Sequence, residues 1–164
     1  MMAADEVLAV LATLRRAGVA VHVGGGWGVD ALLGRQTRAH RDLDLMFAAE
    51  HEAEALAALA AAGYRESLDQ RPVRFVVTGP AGREVDLHPL VFAPDGSALQ
   101  ASFDPERPFA YPAACFVAGT IGGEAVPCLS PEQQAYFHQG YEPTDRDHHD
   151  MAALRDAFGI ATHF

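Results

Sequence analysis

The chain has 164 residues and a mass of 17.5 kDa, with 49% hydrophobic and 21% charged residues, and no run long and apolar enough to span a membrane. That size accommodates one well-cored domain over 1–164, not two. A formal net charge of −10, with all twelve cations arginine, argues against broad nucleic-acid binding, which needs clustered positive charge, and favours a small cationic partner.

In chain order, Val7, Leu8, Val10, Leu11 and Leu14 recur at helical spacing and Gly18 follows Arg15 and Arg16, which predicts a first amphipathic helix. Met1–Glu6 ahead of it lacks a basic region before an apolar run, so no secretory signal is read and a cytoplasmic location is expected. Val19–Val23 is a β-branched run that ends at Gly24, Gly25 and Gly26, as a buried strand entering a tight turn does. Trp27–Leu33 supplies two turns of helix closed by Gly34, Arg35–Arg41 a polar loop, and Asp42–Phe47 a second strand with alternating faces. Glu50–Ala62 is rich in alanine, leucine and glutamate and reads as a helix ended by Gly63.

Strands follow over Tyr64–Leu68, Val73–Thr78 and Glu84–Leu90, the last two joined as a hairpin through Gly79, Pro80, Ala81 and Gly82. Ala93–Ala114 is proline-rich and supports only short strands. Phe116–Ala118 and Glu124–Cys128 flank Gly122 and Gly123 as a second hairpin. Ser130 with Gln133, and Thr144 with Asp147, predict capping boxes for closing helices over Pro131–Gln139 and Asp145–Phe158. Strands in the middle and helices at both ends make the class α+β with a mixed sheet. Cys115 and Cys128 have no metal-ligand spacing and are expected as small buried hydrophobes.

Chemistry concentrates around the second strand. Asp42 and Asp44 share one face there, with Leu43 and Leu45 opposite. Carboxylates so close repel each other unless a cation lies between them, and magnesium suits oxygen ligands and phosphates. A spaced aspartate pair alone is as well explained by a solvated strand face. The later strand, however, puts Glu84, Asp86 and His88 on one face, and Asp86 offers a third metal ligand or a base for an attacking hydroxyl. Glu84 reads as a solvated edge charge, and His88 either as an orienting hydrogen-bond partner or as a structural histidine.

The amides of Gly25 and Gly26, with the start of the next helix, form a candidate anion cradle. Arg35, Arg38, His40 and Arg41 make the following loop locally basic, and Arg38 is the leading phosphate contact. Trp27 reads as packing, and Asp145, Asp147 and Asp150 as first-turn helix residues. The adjacent His148 and His149 cannot share a helix face and make no metal pair.

Gly25, Gly26, Trp27, Asp30, Gly34, Thr37, Arg38, His40, Asp42, Leu43 and Asp44 together resemble the opening motif of the antibiotic nucleotidyltransferases related to the lincosamide and aminoglycoside-2''-adenylyltransferases. Val85-Asp86-Leu87-His88 is similar to that family's later carboxylate strand, and Tyr141 with Asp147 and Asp150 to its C-terminal helix. The resemblance implies a polymerase-β-like nucleotidyltransferase core in which Asp42, Asp44 and Asp86 hold magnesium, with Asp86 as third ligand or general base. It implies transfer of AMP from ATP to a hydroxyl of a small antibiotic with loss of pyrophosphate, binding of ATP by Gly25, Gly26, Arg38 and His40, and a homodimer. Ala93–Ala114 matches nothing in that pattern. A nucleotidyltransferase acting on protein or transfer RNA, and a silent nucleotide-binding or antitoxin-like module, are the competing readings.

Overall fold

Alternation along β2 (Asp42–Ala48) decides what each face of the sheet does: Leu43, Leu45 and Phe47 are almost fully buried on one side, and Asp42, Asp44 and Met46 point to the other. The computed structural model describes all residues, 1–164. A mixed sheet runs in the order β3-β4-β5-β2-β1-β9-β8, where β1 is Val21–Gly24, β3 Arg65–Gln70, β4 Arg74–Thr78, β5 Glu84–Phe92, β8 Phe116–Ile121 and β9 Glu124–Leu129. β2 pairs in parallel with β5 and β1 with β9, and every other neighbour is antiparallel. Seven residue pairs hold β2 to β5, from Asp42 opposite Glu84, through Asp44 opposite Asp86 and Met46 opposite His88, to Ala48 opposite Leu90. A one-residue slip there would bury the acids and expose the leucines, so the core itself fixes the register.

The apolar face is covered by α1 (Ala4–Arg16), α2 (Gly25–Leu33) and α3 (Glu52–Ala61). Val7, Val10, Leu14, Trp27, Ala55 and Leu59 on these helices join Leu43, Leu45, Val85 and Leu87 of the sheet in the main cluster. Each such aliphatic side chain, fully buried, contributes roughly 1.5–3 kcal/mol. α3 begins two residues later than its composition predicts, because Ala49–His51 forms a tighter 3-10 turn first. The opposite face carries the acids and a smaller cluster of Met46, Leu90, Ala98, Tyr111, Cys115 and Leu129. Over it lie the short strands β6 (Ala98–Gln100) and β7 (Phe109–Tyr111), the only regular strands within 93–114, and α4 (Pro131–Phe137).

α5 (Asp145–Phe158) packs Met151 and Leu154 against Val29 of α2. Its capping box is complete: Thr144 and Asp147 exchange both hydrogen bonds. At α4 only half of the expected box forms. Ser130 accepts the Gln133 amide, but the Gln133 side chain donates instead to the Ala110 carbonyl at 2.8 Å and ties β7 to the helix. Cys115 and Cys128 are free, and burial pushes both thiols up to about 11. No helix is long and apolar enough to cross a membrane.

Candidate active site

The acids gather because β1, β2 and β5 lie side by side. Gly24 stands opposite Asp44, and Asp44 opposite Asp86. α2 starts at Gly25, so the glycines form the first helical turn rather than a free loop, and their unpaired amides open beside the acids. Close packing requires glycine here. A Cβ on Gly25, whose φ is +57°, would sit 2.8 Å from Cγ of Asp44 with Oδ2 nearer still. On Gly26 it would meet Nη2 of Arg38 at 2.5 Å and Cε1 of His40 at 2.7 Å, and on Gly28 the Val23 carbonyl at 2.8 Å.

Asp86 is buried, with Oδ2 paired to Arg74 Nη1 and Oδ1 without a partner. Burial raises its pKa, aided by Asp44 and opposed by His88 and Arg74. Asp42 is raised first by burial, then by Asp44 and Glu84. His88 Nε2 lies 3.1 Å from Asp44 Oδ1 and 3.6 Å from Asp86 Oδ1. Burial disfavours charge on the His88 ring, but the hydrogen bond to Asp44 and the two carboxylates outweigh it. Ligand atoms of Asp44, Asp86 and His88 fall within 4.8 Å of one another. Asp86, raised by burial and left with an orphaned buried oxygen, together with the Asp44 carboxylate beside it forms a donor set suited to a hard divalent cation.

Two clefts border these acids and share Arg74 in their walls. One of about 270 Å³ is lined by Gly25, Asp44, His88 and the aromatic rings of Phe103, Phe109, Tyr111 and Phe137. The other, about 350 Å³, is polar and lined by Arg41, Asp42, Arg74, Glu84 and Asp86.

The structure sets Gly25 against Asp44 and Gly26 against Arg38 and His40; Asp42 lines a cleft with Asp86 but stands outside the ligand cluster of Asp44, Asp86 and His88, and Arg38 and His40 are engaged in ways the sequence did not reveal. Arg38 forms a two-pronged pair with buried Asp150 of α5, at 2.8 and 2.6 Å, while its Nη2 stays against Gly26. His40 is buried, lies against Trp27 with the rings tilted by 44° and their centroids 4.7 Å apart, and pairs through Nε2 with Asp30. Asp30 also accepts from the amide and hydroxyl of Thr37 at 3.0 and 2.7 Å, and so clamps the loop from below. Arg41 is exposed and pairs with Glu84 at 3.2 Å. Arg35 lies away on the surface.

Sequence reasoning missed Arg74, Gln100 and Tyr111. Arg74 could have been found, because it shares the alternation of β4 with Val76, which stands opposite Asp86. Gln100 and Tyr111 fall in the stretch without periodicity.

A family model of the aminoglycoside-2''-adenylyltransferases matches residues 6–154. A lincosamide resistance protein of Staphylococcus haemolyticus is 33% identical over 150 residues, 92% of each chain. A 2''-aminoglycoside nucleotidyltransferase of Escherichia coli is 30% identical over 130 residues, covering 75% of this chain and 65% of that protein. Among solved structures, a lincosamide antibiotic adenylyltransferase with lincomycin bound superposes with a TM-score of 0.84 at 32% identity, covering 94% of this chain and 97% of its own. With this family match over nearly its whole length and a polymerase-β-like mixed sheet, the chain belongs to the aminoglycoside-2''-adenylyltransferase family of antibiotic nucleotidyltransferases.

Proposed function

We propose that the protein transfers AMP from ATP to a hydroxyl of a small antibiotic, in a magnesium-dependent reaction that releases pyrophosphate. The observation that carries this reading is the pairing of Asp44 with Asp86 across β2 and β5, directly beside the amino-terminal turn of α2. Asp42, Asp44 and Asp86 would hold magnesium, which supplies neutralisation of phosphate charge. The amides of Gly25 and Gly26 and the remaining N–H groups of Arg38 bind the triphosphate, with His40 packed under that turn. Asp86 Oδ1 accepts the proton of the attacking hydroxyl, while Arg74 restrains its other oxygen. The two clefts, one lined by Asp44 and the other by Asp42 and Asp86, give nucleotide and acceptor separate room.

The lincosamide type is the first acceptor to test, since the relative matched over 92% of both chains is a lincosamide resistance protein; the aminoglycoside type is the second. Use of ATP places the proposed reaction in the cytoplasm, and a homodimer is part of the same proposal. Protein is incubated with ATP, magnesium and a panel of both drug classes, and pyrophosphate and drug mass are measured. A mass increase of one adenylyl group on one class is expected, abolished in Asp44→Asn. No mass increase on any compound, or transfer retained in Asp44→Asn, would refute the reading.

A further inference from the structure

His88 is the one residue in the cluster with Asp44 and Asp86 that would offer a metal ion nitrogen rather than oxygen, and its second nitrogen faces a buried amide. Nδ1 lies 3.2 Å from Nε2 of Gln100. The orientation of that amide follows from its other partners. Gln100 Nε2 also lies 3.0 Å from the Val73 carbonyl oxygen, which can only accept, so this end is the NH2 group. At the other end Oε1 accepts the Tyr111 hydroxyl at 2.6 Å. Burial pushes the Tyr111 phenol well above the usual tyrosine range, so it keeps its proton and remains a donor. Gln100 and Tyr111 are 4% and 1% exposed, so water does not compete for these bonds.

An amide NH2 pointing at Nδ1 needs a lone pair there. We infer that Tyr111 and Gln100 hold His88 in the tautomer that carries its proton on Nε2, so that the ring donates to Asp44 and does not itself ligate a metal ion. The Nε2 proton faces Asp44 Oδ1 at 3.1 Å, and a protonated ring nitrogen has no lone pair for coordination. Asp44 is thereby restrained through one oxygen while Oδ2 stays on the Gly25 side. Gln100 and Tyr111 are positioning residues, and they come from the segment that no motif explains. The role of His88 rests on the proposed function of Asp44, whereas its tautomer can be read in metal-free protein.

Two-bond proton–nitrogen correlations of the histidine rings, with His88 assigned by its loss in His88→Gln, are expected to show Nε2 protonated and Nδ1 bare whenever the ring is neutral. Gln100→Leu is expected to raise the Nδ1-protonated population and lower kcat by about 10- to 100-fold, as loss of supporting contacts around a metal site does. Tyr111→Phe keeps the ring and gives the same changes in smaller measure, which covers a failure of Gln100→Leu to fold. Adding magnesium with a non-hydrolysable ATP analogue leaves the Nε2 proton in place. A neutral His88 ring with its proton on Nδ1 in the unmodified protein, a tautomer or kcat unchanged in both variants, or loss of the Nε2 proton on adding metal overturns the inference. Full transfer by Asp44→Asn sinks the proposed site instead and leaves the tautomer result standing.

Discussion

Gly25→Ala separates the structural from the chemical demand on the glycine turn. The backbone at Gly25 has φ +57°, a left-handed conformation that costs an alanine roughly 1–2 kcal/mol. In a domain of this length that lowers Tm by about 2–8 °C. The added carbon would also lie 2.8 Å from Cγ of Asp44, closer than real contacts allow, with a carboxylate oxygen nearer still. The strand cannot yield, since Leu43 and Leu45 anchor it on either side of Asp44 with no exposure. The carboxylate must therefore swing, by about 1 Å, a misplacement worth on the order of 100-fold in rate. Gly34→Ala is the control: φ there is +70° and nothing lies within 4 Å of its Cβ, so the same thermal loss is expected with kcat unchanged. Denaturation curves and steady-state adenylylation measure the two effects. Unaltered kcat in Gly25→Ala, or equal kcat losses in both variants, would refute this account of the close approach.

Three further outcomes follow from one buried and two half-buried polar groups. Asp30→Ala strands the Thr37 amide and His40 Nε2, so a loss of about 3 kcal/mol by denaturant titration is expected. His22 is pushed down to about 4 by burial, so the folded chain keeps it neutral while the unfolded chain takes a proton below pH 6.5. Its stabilising contribution is full above pH 6.5 and is lost as pH falls toward 4, up to about 3 kcal/mol. His22→Gln should flatten that limb of the stability–pH curve, and an unchanged slope would remove His22 as its source. The Asp42 carboxyl is raised by burial and by Asp44, so its ionised form opposes folding at neutral pH. Asp42→Asn should raise the Tm of metal-free protein while abolishing transfer, and a lowered Tm would contradict the repulsion argument.

Periodicity made most of this molecule legible. Leucines alternating with aspartates in Asp42–Leu45, and Val85 and Leu87 alternating with Asp86 and His88, located both acid strands and their shared face because burial on one side leaves a single register. What sequence could not supply were partners set by long-range packing. Arg38 had the composition of a phosphate contact, yet its pairing with Asp150 depends on α5 returning to the site 112 residues later. His40 sat in a basic loop and had no local sign of burial; Asp30 beneath it is reached only when α2 folds back. The glycines suggested a loose cradle, whereas their need is contact with Asp44, Arg38 and His40. Gln100 and Tyr111 lie in three-residue strands too short to show a period.

These differences share a cause. The acid positions are inherited from the main core, because the residues that bury β2 and β5 on one face dictate what stands on the other. The residues around the acids belong to a separate cluster built from Met46, Leu90, Ala98, Tyr111, Cys115 and Leu129. Substitutions within 93–114 can therefore reshape the aromatic cleft without shifting the register that joins Asp44 to Asp86. The acids are thus fixed by alternating strands that cannot slip, while the cleft over them is shaped by β6, which extends from the end of β5, by β7 and by α4. Gln100 joins the two, since it belongs to β6 yet reaches the acids through His88.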